Sequence, residues 1–138
     1  MNTKKFPARL DTLHQMLQWI HKQIKSVGFE VSDLRKIELA SEEALVNVIK
    51  HGYKNEYAGF IELSIVIHDN DKMILTIRDK GSLFNPLKQE AKVDLESPLE
   101  QRLEGGLGIL MMRQYMDQIN YKRDGEYNLL TMIKKIPY

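Results

Sequence analysis

The chain has no cysteine, which excludes disulfides, thiol nucleophiles and cysteine-ligated metals. It has no surplus charge of either sign: 20 Lys and Arg stand against 19 Asp and Glu, for a formal net charge of +1. A nucleic-acid-binding domain ordinarily carries a basic excess, so direct binding to nucleic acid is not expected. No apolar run approaches the roughly 18 residues of a membrane span. Met1 to Ala8 lacks the apolar stretch of a secretory signal. No membrane contact and a cytoplasmic location are therefore expected. Internal repeats and low-complexity linkers are missing too. With 138 residues, the chain suits one domain over 1–138 around one hydrophobic core, without room for a separate regulatory domain.

What is present reads as grouped helices and strands. Lys4 to Ala8 suits a short edge strand. Leu10, Leu13, Leu17, Ile20, Ile24 and Val27 recur at steps of three and four, the period of an amphipathic helix, and Gly28 can stop it. Ser32 or Asp33 can cap a second helix that reaches about Lys50, with Leu34, Ile37, Ala40, Ala44 and Val48 as its apolar stripe. Ile61, Leu63, Ile65 and Ile67, then Met73, Leu75 and Ile77, alternate as the arms of a hairpin about Asp69-Asn70-Asp71. From Lys80 to Glu104 the patterning fails, as in a functional lid or a disordered segment. Gly105-Gly106-Leu107-Gly108 opens a third helix over Ile109 to Met116. Strands near Gln118–Lys122 and Asn128–Ile136 follow, turning at Asp124-Gly125. This order predicts an α/β protein: a two-layer α/β sandwich with a mixed sheet.

Three places can carry chemistry. On the second helix, Glu43, Asn47, Lys50 and His51 share one face at about 100° per residue. A carboxylate there can accept a proton, and a carboxamide oxygen can ligate a hard cation such as Mg²⁺; a solvated polar face fits the same spacing. Asp79 continues the parity of Met73, Leu75 and Ile77, so it points inward at the end of its strand and needs a partner. Gly81, two residues on, allows close approach to the backbone. An adenine amino group would satisfy Asp79, and so would an Arg or a backbone N–H. The glycines at 105, 106 and 108 expose backbone N–H groups at a helix start, where phosphates bind; a hinge is the other reading. No Lys-Ser or Lys-Thr follows them, so this is not a Walker A loop, and a dinucleotide fingerprint does not fit either. Together the three places make a set of parts for an Mg-nucleotide.

The segment Ser41 to Tyr53, with its Glu-Ala-x-x-Asn core and His-Gly-Tyr end, resembles the N-box of GHKL ATPases, and more narrowly that of the anti-sigma factor serine/threonine kinases of the RsbW type. Ile77-Arg78-Asp79-Lys80-Gly81 resembles their G1 box and Glu104-Gly105-Gly106-Leu107-Gly108-Ile109 their G2 box, followed by Met116-Asp117. The resemblance runs from about Phe6 to Lys135. It implies the Bergerat (histidine-kinase-like ATPase) fold, with ATP and Mg²⁺ as cofactors. It implies Glu43 as general base, Asn47 as metal ligand and Asp79 as the adenine partner. His51 and Leu107 are placed in the nucleotide site as well. Gly81 would shape the base pocket, Gly105, Gly106 and Gly108 would wrap the phosphates, Arg102 would neutralise their charge, and residues 82–104 would form the ATP lid. It also implies a sigma factor and a STAS-domain anti-anti-sigma protein as partners, and a homodimer.

Two positions depart from the family pattern. Many GHKL proteins have a second glycine where this chain has Leu83, which speaks against a general sensor kinase. The family threonine that supports adenine on the last strand falls at Leu129, two residues from Thr131, and this leaves open a partner-binding clamp with little or no kinase activity. His14 and His21 read as surface histidines, because no second hairpin helix accompanies them. The seven methionines and Trp19 read as core or partner-contact residues.

Overall fold

The computed structural model describes residues 1–52, 59–83, 85, 87 and 107–137, with the backbone alone at His51 and Leu107. Strand β1 (Asn2–Pro7) leads into a 3-10 turn over Leu10–Thr12. There the Thr12 hydroxyl donates to the carbonyls of Pro7 and Arg9, holding the chain out of α-helix. Helix α1 (Leu13–Ile24) therefore starts later than the apolar period suggests, and Leu10 stays exposed. Met16, Ile20 and Ile24 are its fully inward residues. Gly28, at φ 121°, supplies the left-handed residue that ends the segment.

Helix α2 (Val31–Asn47) begins after the extended Glu30, not at Ser32 or Asp33. Asp33 lies instead in the first turn, where its charge complements the helix dipole. After Asn47 the chain widens into a π-helix over Val48–Gly52. Strands β2 (Phe60–His68) and β3 (Lys72–Asp79) form the expected hairpin. Asp69 and Asn70 both have positive φ, 52° and 58°, the pattern that matches strand twist in a tight turn. Helix α3 (Leu107–Tyr115) precedes β4 (Gln118–Asp124) and β5 (Tyr127–Lys135).

The sheet order is β1-β2-β3-β5-β4, and every neighbouring pair is antiparallel. The α/β sandwich stands, but the expected mixed sheet does not. The strand–helix–strand passage from β3 through α3 makes β4 parallel to β3, yet the β4–β5 hairpin inserts β5 between them. Phe6, Leu63, Leu75, Ile77, Leu130 and Met132 line one sheet face and share a single core with Ile20, Ile37, Leu45, Ile109 and Met112 of the helices. The opposite face carries half-buried Ser64, Thr76, Arg78 and Thr131. Register sets one row across the end of the inner face: Phe6, Ile61, Asp79, Asn128 and Arg123. Its last three members are polar, and they bound the site described next.

Candidate functional site

The first group of site residues sits where α2 packs against α3. Glu43 is half-buried, and one of its carboxylate oxygens accepts a 3.2 Å hydrogen bond from Asn47 Nδ2. Asn47 is only 9% exposed. The solvated polar face that fits the same spacing is not what forms here: Asn47 is buried, and α3 meets this face at Glu43. An ideal Cβ on Gly108 would lie 1.9 Å from Glu43 Oε1 and 2.2 Å from its carboxyl carbon. Only a glycine lets the carboxylate lie against the first turn of α3, the positive end of that helix dipole. Asn47 and Gly108 thus hold Glu43 from two sides. Lys50 is exposed, and it lies in the π-helix, whose wider turn breaks the α-helical face it was expected to share with Glu43. Of His51 and Leu107 only the backbone is described, and Arg102, Gly105, Gly106 and most of the expected lid lie outside the described residues.

The second group sits at the end of β3. Asp79 points inward, as its parity predicted, and is 3% exposed. Its Oδ1 accepts from Gly81 N at 2.8 Å and from Asn128 Nδ2 at 3.1 Å. No described residue donates to Oδ2. Burial pushes the carboxyl above its ordinary value, and the Asn128 bond, the Gly81 bond and the Arg123 charge oppose that rise. Among the described residues no hydrogen bond or ion pair joins the two groups.

Asn128 is the residue of this group that motif reading missed. Leu129 and Thr131, the positions weighed for adenine support, pair with Arg78 and Thr76 and lie on the other sheet face. Asn128 is the residue directly across from Asp79. It shares the inward parity of Leu130 and Met132, and a polar residue at that parity was the available signal. Its Oδ1 accepts from Tyr121 OH at 2.5 Å and from Arg123 Nη1 at 3.1 Å. Its Nδ2 donates to Ser82 O at 2.9 Å as well as to Asp79. These partners determine the amide orientation: a flipped amide would set N–H against the Arg123 donor and oxygen against the oxygens of Asp79, Gly81 and Ser82.

Two features suit a nucleotide. A buried carboxylate oxygen without a donor from the described residues can accept from an exocyclic amino group. The start of α3 already carries one negative group, the Glu43 carboxylate, against its positive end, and backbone N–H groups at a helix start also suit phosphate. The donor set is sparse for a metal: among the described residues no group of three or more His, Asp or Glu side chains could hold one. Asn47 can offer one oxygen to a cation, and phosphate oxygens and water, which such ions favour, would have to complete the shell. No described helix is long and apolar enough to cross a membrane.

Comparisons with known proteins give the family. Residues 6–134 match the histidine kinase-like ATPase domain family. The serine-protein kinase RsbW of Staphylococcus aureus (strain JH9) is 32% identical over 114 residues, which cover 78% of this chain and 71% of that protein. The anti-sigma F factor of Anoxybacillus flavithermus (strain DSM 21510 / WK1) is 30% identical over 107 residues, covering 77% and 72%. Among solved structures, the RsbU and RsbW domains of a Mycobacterium tuberculosis protein superpose with a TM-score of 0.67 at 13% identity. That match takes in 99% of this chain and 33% of that longer one, and at this identity it speaks to the fold alone. The chain belongs to the histidine kinase-like ATPase domain family, and within it to the RsbW-type serine/threonine protein kinases.

Proposed function

We propose that this kinase is an anti-sigma factor of a partner-switching system. It transfers the terminal phosphoryl group of ATP to a Ser or Thr hydroxyl of a STAS-domain anti-anti-sigma protein, and in the alternative state it holds a sigma factor. The names of the relatives, a serine-protein kinase and an anti-sigma F factor, support both halves of this reading. The single observation that carries the chemistry is the clasp on Glu43, between the Asn47 amide and the bare backbone of Gly108.

In this reading Glu43 orients the protein substrate's hydroxyl and accepts its proton. Positioning and charge neutralisation are most of what phosphoryl transfer requires, and a carboxylate held on two sides meets the first demand. Asn47 carries the metal. Mg²⁺, when bound, neutralises phosphate charge and aligns the terminal group. Asp79 takes the adenine amino group, and Gly81 keeps the backbone low beside the base. Gly105, Gly106, Leu107 and Gly108 wrap the phosphates, with His51 nearby, Arg102 adds charge from the lid over 82–104, and the whole of 1–138 is one domain. The protein works in the cytoplasm as a homodimer. The alternative, a partner-binding clamp with little or no kinase activity, predicts ATP binding without transfer.

The test is to incubate the chain with terminally labelled ATP, Mg²⁺ and STAS-domain proteins from the same cell. Labelled partner with wild type, reduced by at least about a hundredfold with Glu43→Gln, is the expected result. ATP binding without transfer to any partner would refute the kinase half of the proposal.

A further inference from the structure

The end of the inner sheet face carries more polar structure than holding one carboxylate requires. Asp79 is already bonded to Gly81 N. Yet Tyr121, Arg123 and Asn128 form a second, connected set behind it, reaching from edge strand β4 to Ser82. Arg123 Nη1 also donates to Gly81 O at 3.0 Å, and its Nε to Gly125 O at 3.0 Å, so the guanidinium is pinned as well as charged.

We propose that Asn128, held by Tyr121 and Arg123, is the positioning residue that makes this site select a 6-amino purine over a 6-oxo purine. The inference rests on the nucleotide reading above and goes beyond it, to a residue outside the motifs. A carboxylate rotates easily about its last torsion, where the energy wells are broad. Two donors on the same oxygen, Gly81 N and Asn128 Nδ2, remove that freedom and turn Oδ2 away from them as a pure acceptor. A 6-amino group donates to it; a 6-oxo group presents a second oxygen and leaves both without a hydrogen, a mismatch that sites built on hydrogen bonds reject strongly. The Tyr121 hydroxyl and the Arg123 N–H polarise the amide through its carbonyl oxygen, which strengthens the Nδ2 donors. Asn128 does not touch the base in this scheme. Its donors are already spent on Asp79 and Ser82, and it acts through Asp79.

The experiment compares dissociation constants for Mg-ADP and Mg-inosine diphosphate in wild type, Asn128→Leu and Tyr121→Phe, with the melting temperature of each. Wild type should prefer ADP, and Asn128→Leu should shrink that preference by roughly tenfold, the worth of one hydrogen bond to a charged group. Tyr121→Phe keeps the ring, removes one donor to Asn128, and should move the ratio the same way by less, which keeps the test alive where Asn128→Leu does not fold. A merely structural role would weaken both nucleotides together and leave the ratio unchanged; that result in folded variants overturns the proposal. Wild type that binds ADP and inosine diphosphate equally overturns it too. Wild type that binds neither overturns the nucleotide reading itself, and this inference with it.

Discussion

The Glu43 side chain lies where any side chain at position 108 would have to be: its Cγ is 2.6 Å and its Oε1 1.9 Å from an ideal Cβ on Gly108. Because the Cγ is involved, rotating the carboxylate alone does not relieve the overlap. Gly108→Ala should therefore displace the whole Glu43 side chain at a cost of about 1–3 kcal/mol, despite alanine's better helix propensity. In a Glu43→Ala background the same change should cost little. A thermal-melting double-mutant cycle measures the coupling; additive effects would mean that the two residues do not meet. Transfer in Gly108→Ala should fall by on the order of a hundredfold, the usual effect of a small misplacement at a reacting group.

Asn47→Ala removes a buried amide and its hydrogen bond to Glu43. The chain should still fold, with stability lowered by about 1–2 kcal/mol. Wild-type affinity for ADP should depend on Mg²⁺, and Asn47→Ala should lose that dependence. Titrations with magnesium and with a chelator read this directly. Equal magnesium dependence in the two proteins would remove Asn47 as the metal ligand.

Asp79 is the one described group whose carboxyl is clearly displaced, upward, chiefly by burial. Protonation converts the acceptor into a donor, so ADP affinity should fall on acidification. The fall should be centred above the ordinary value of 3.8. The described groups that act on it are Asn128 from β5, Arg123 from β4 and the Gly81 amide from its own loop; only Arg123 is charged, and it does not titrate in this range. The stability effect has its own sign. A carboxyl raised in the folded state contributes stability fully below its unfolded pKa, and loses that contribution as pH rises through the folded value. Asp79→Asn should thus lower ADP affinity at neutral pH and abolish its acid dependence. Binding measured from pH 4 to pH 8 as a pH series checks both; an unchanged profile in Asp79→Asn would place the titration elsewhere.

Much of this site was legible in the sequence, because it is built from short-range regularities. Period-two alternation put Asp79 inward with Met73, Leu75 and Ile77, and β3 does bury all four. Helical spacing put Glu43 next to Asn47, and they bond. What was not legible depends on elements far apart in the chain. Asn47 is buried on a face whose spacing fits solvent equally well, and the need for glycine at 108 comes from Glu43 on α2. Asn128 was missed because matching a family threonine pointed to Leu129, whereas strand register puts Asn128 across from Asp79. The antiparallel sheet follows from β5 slipping between β3 and β4, a choice that local patterning does not encode.

In the proposed function one nucleotide reaches from Asp79 to the surface shared by Glu43, Asn47 and Gly108. A crystal structure with Mg²⁺ and a non-hydrolysable ATP analogue tests it most directly. The purine 6-amino nitrogen should lie within about 3 Å of Asp79 Oδ2, with the metal on Asn47 and the phosphates at the start of α3. A nucleotide bound elsewhere, for example in the surface groove lined by His14, His21 and Glu38 between α1 and α2, would contradict it.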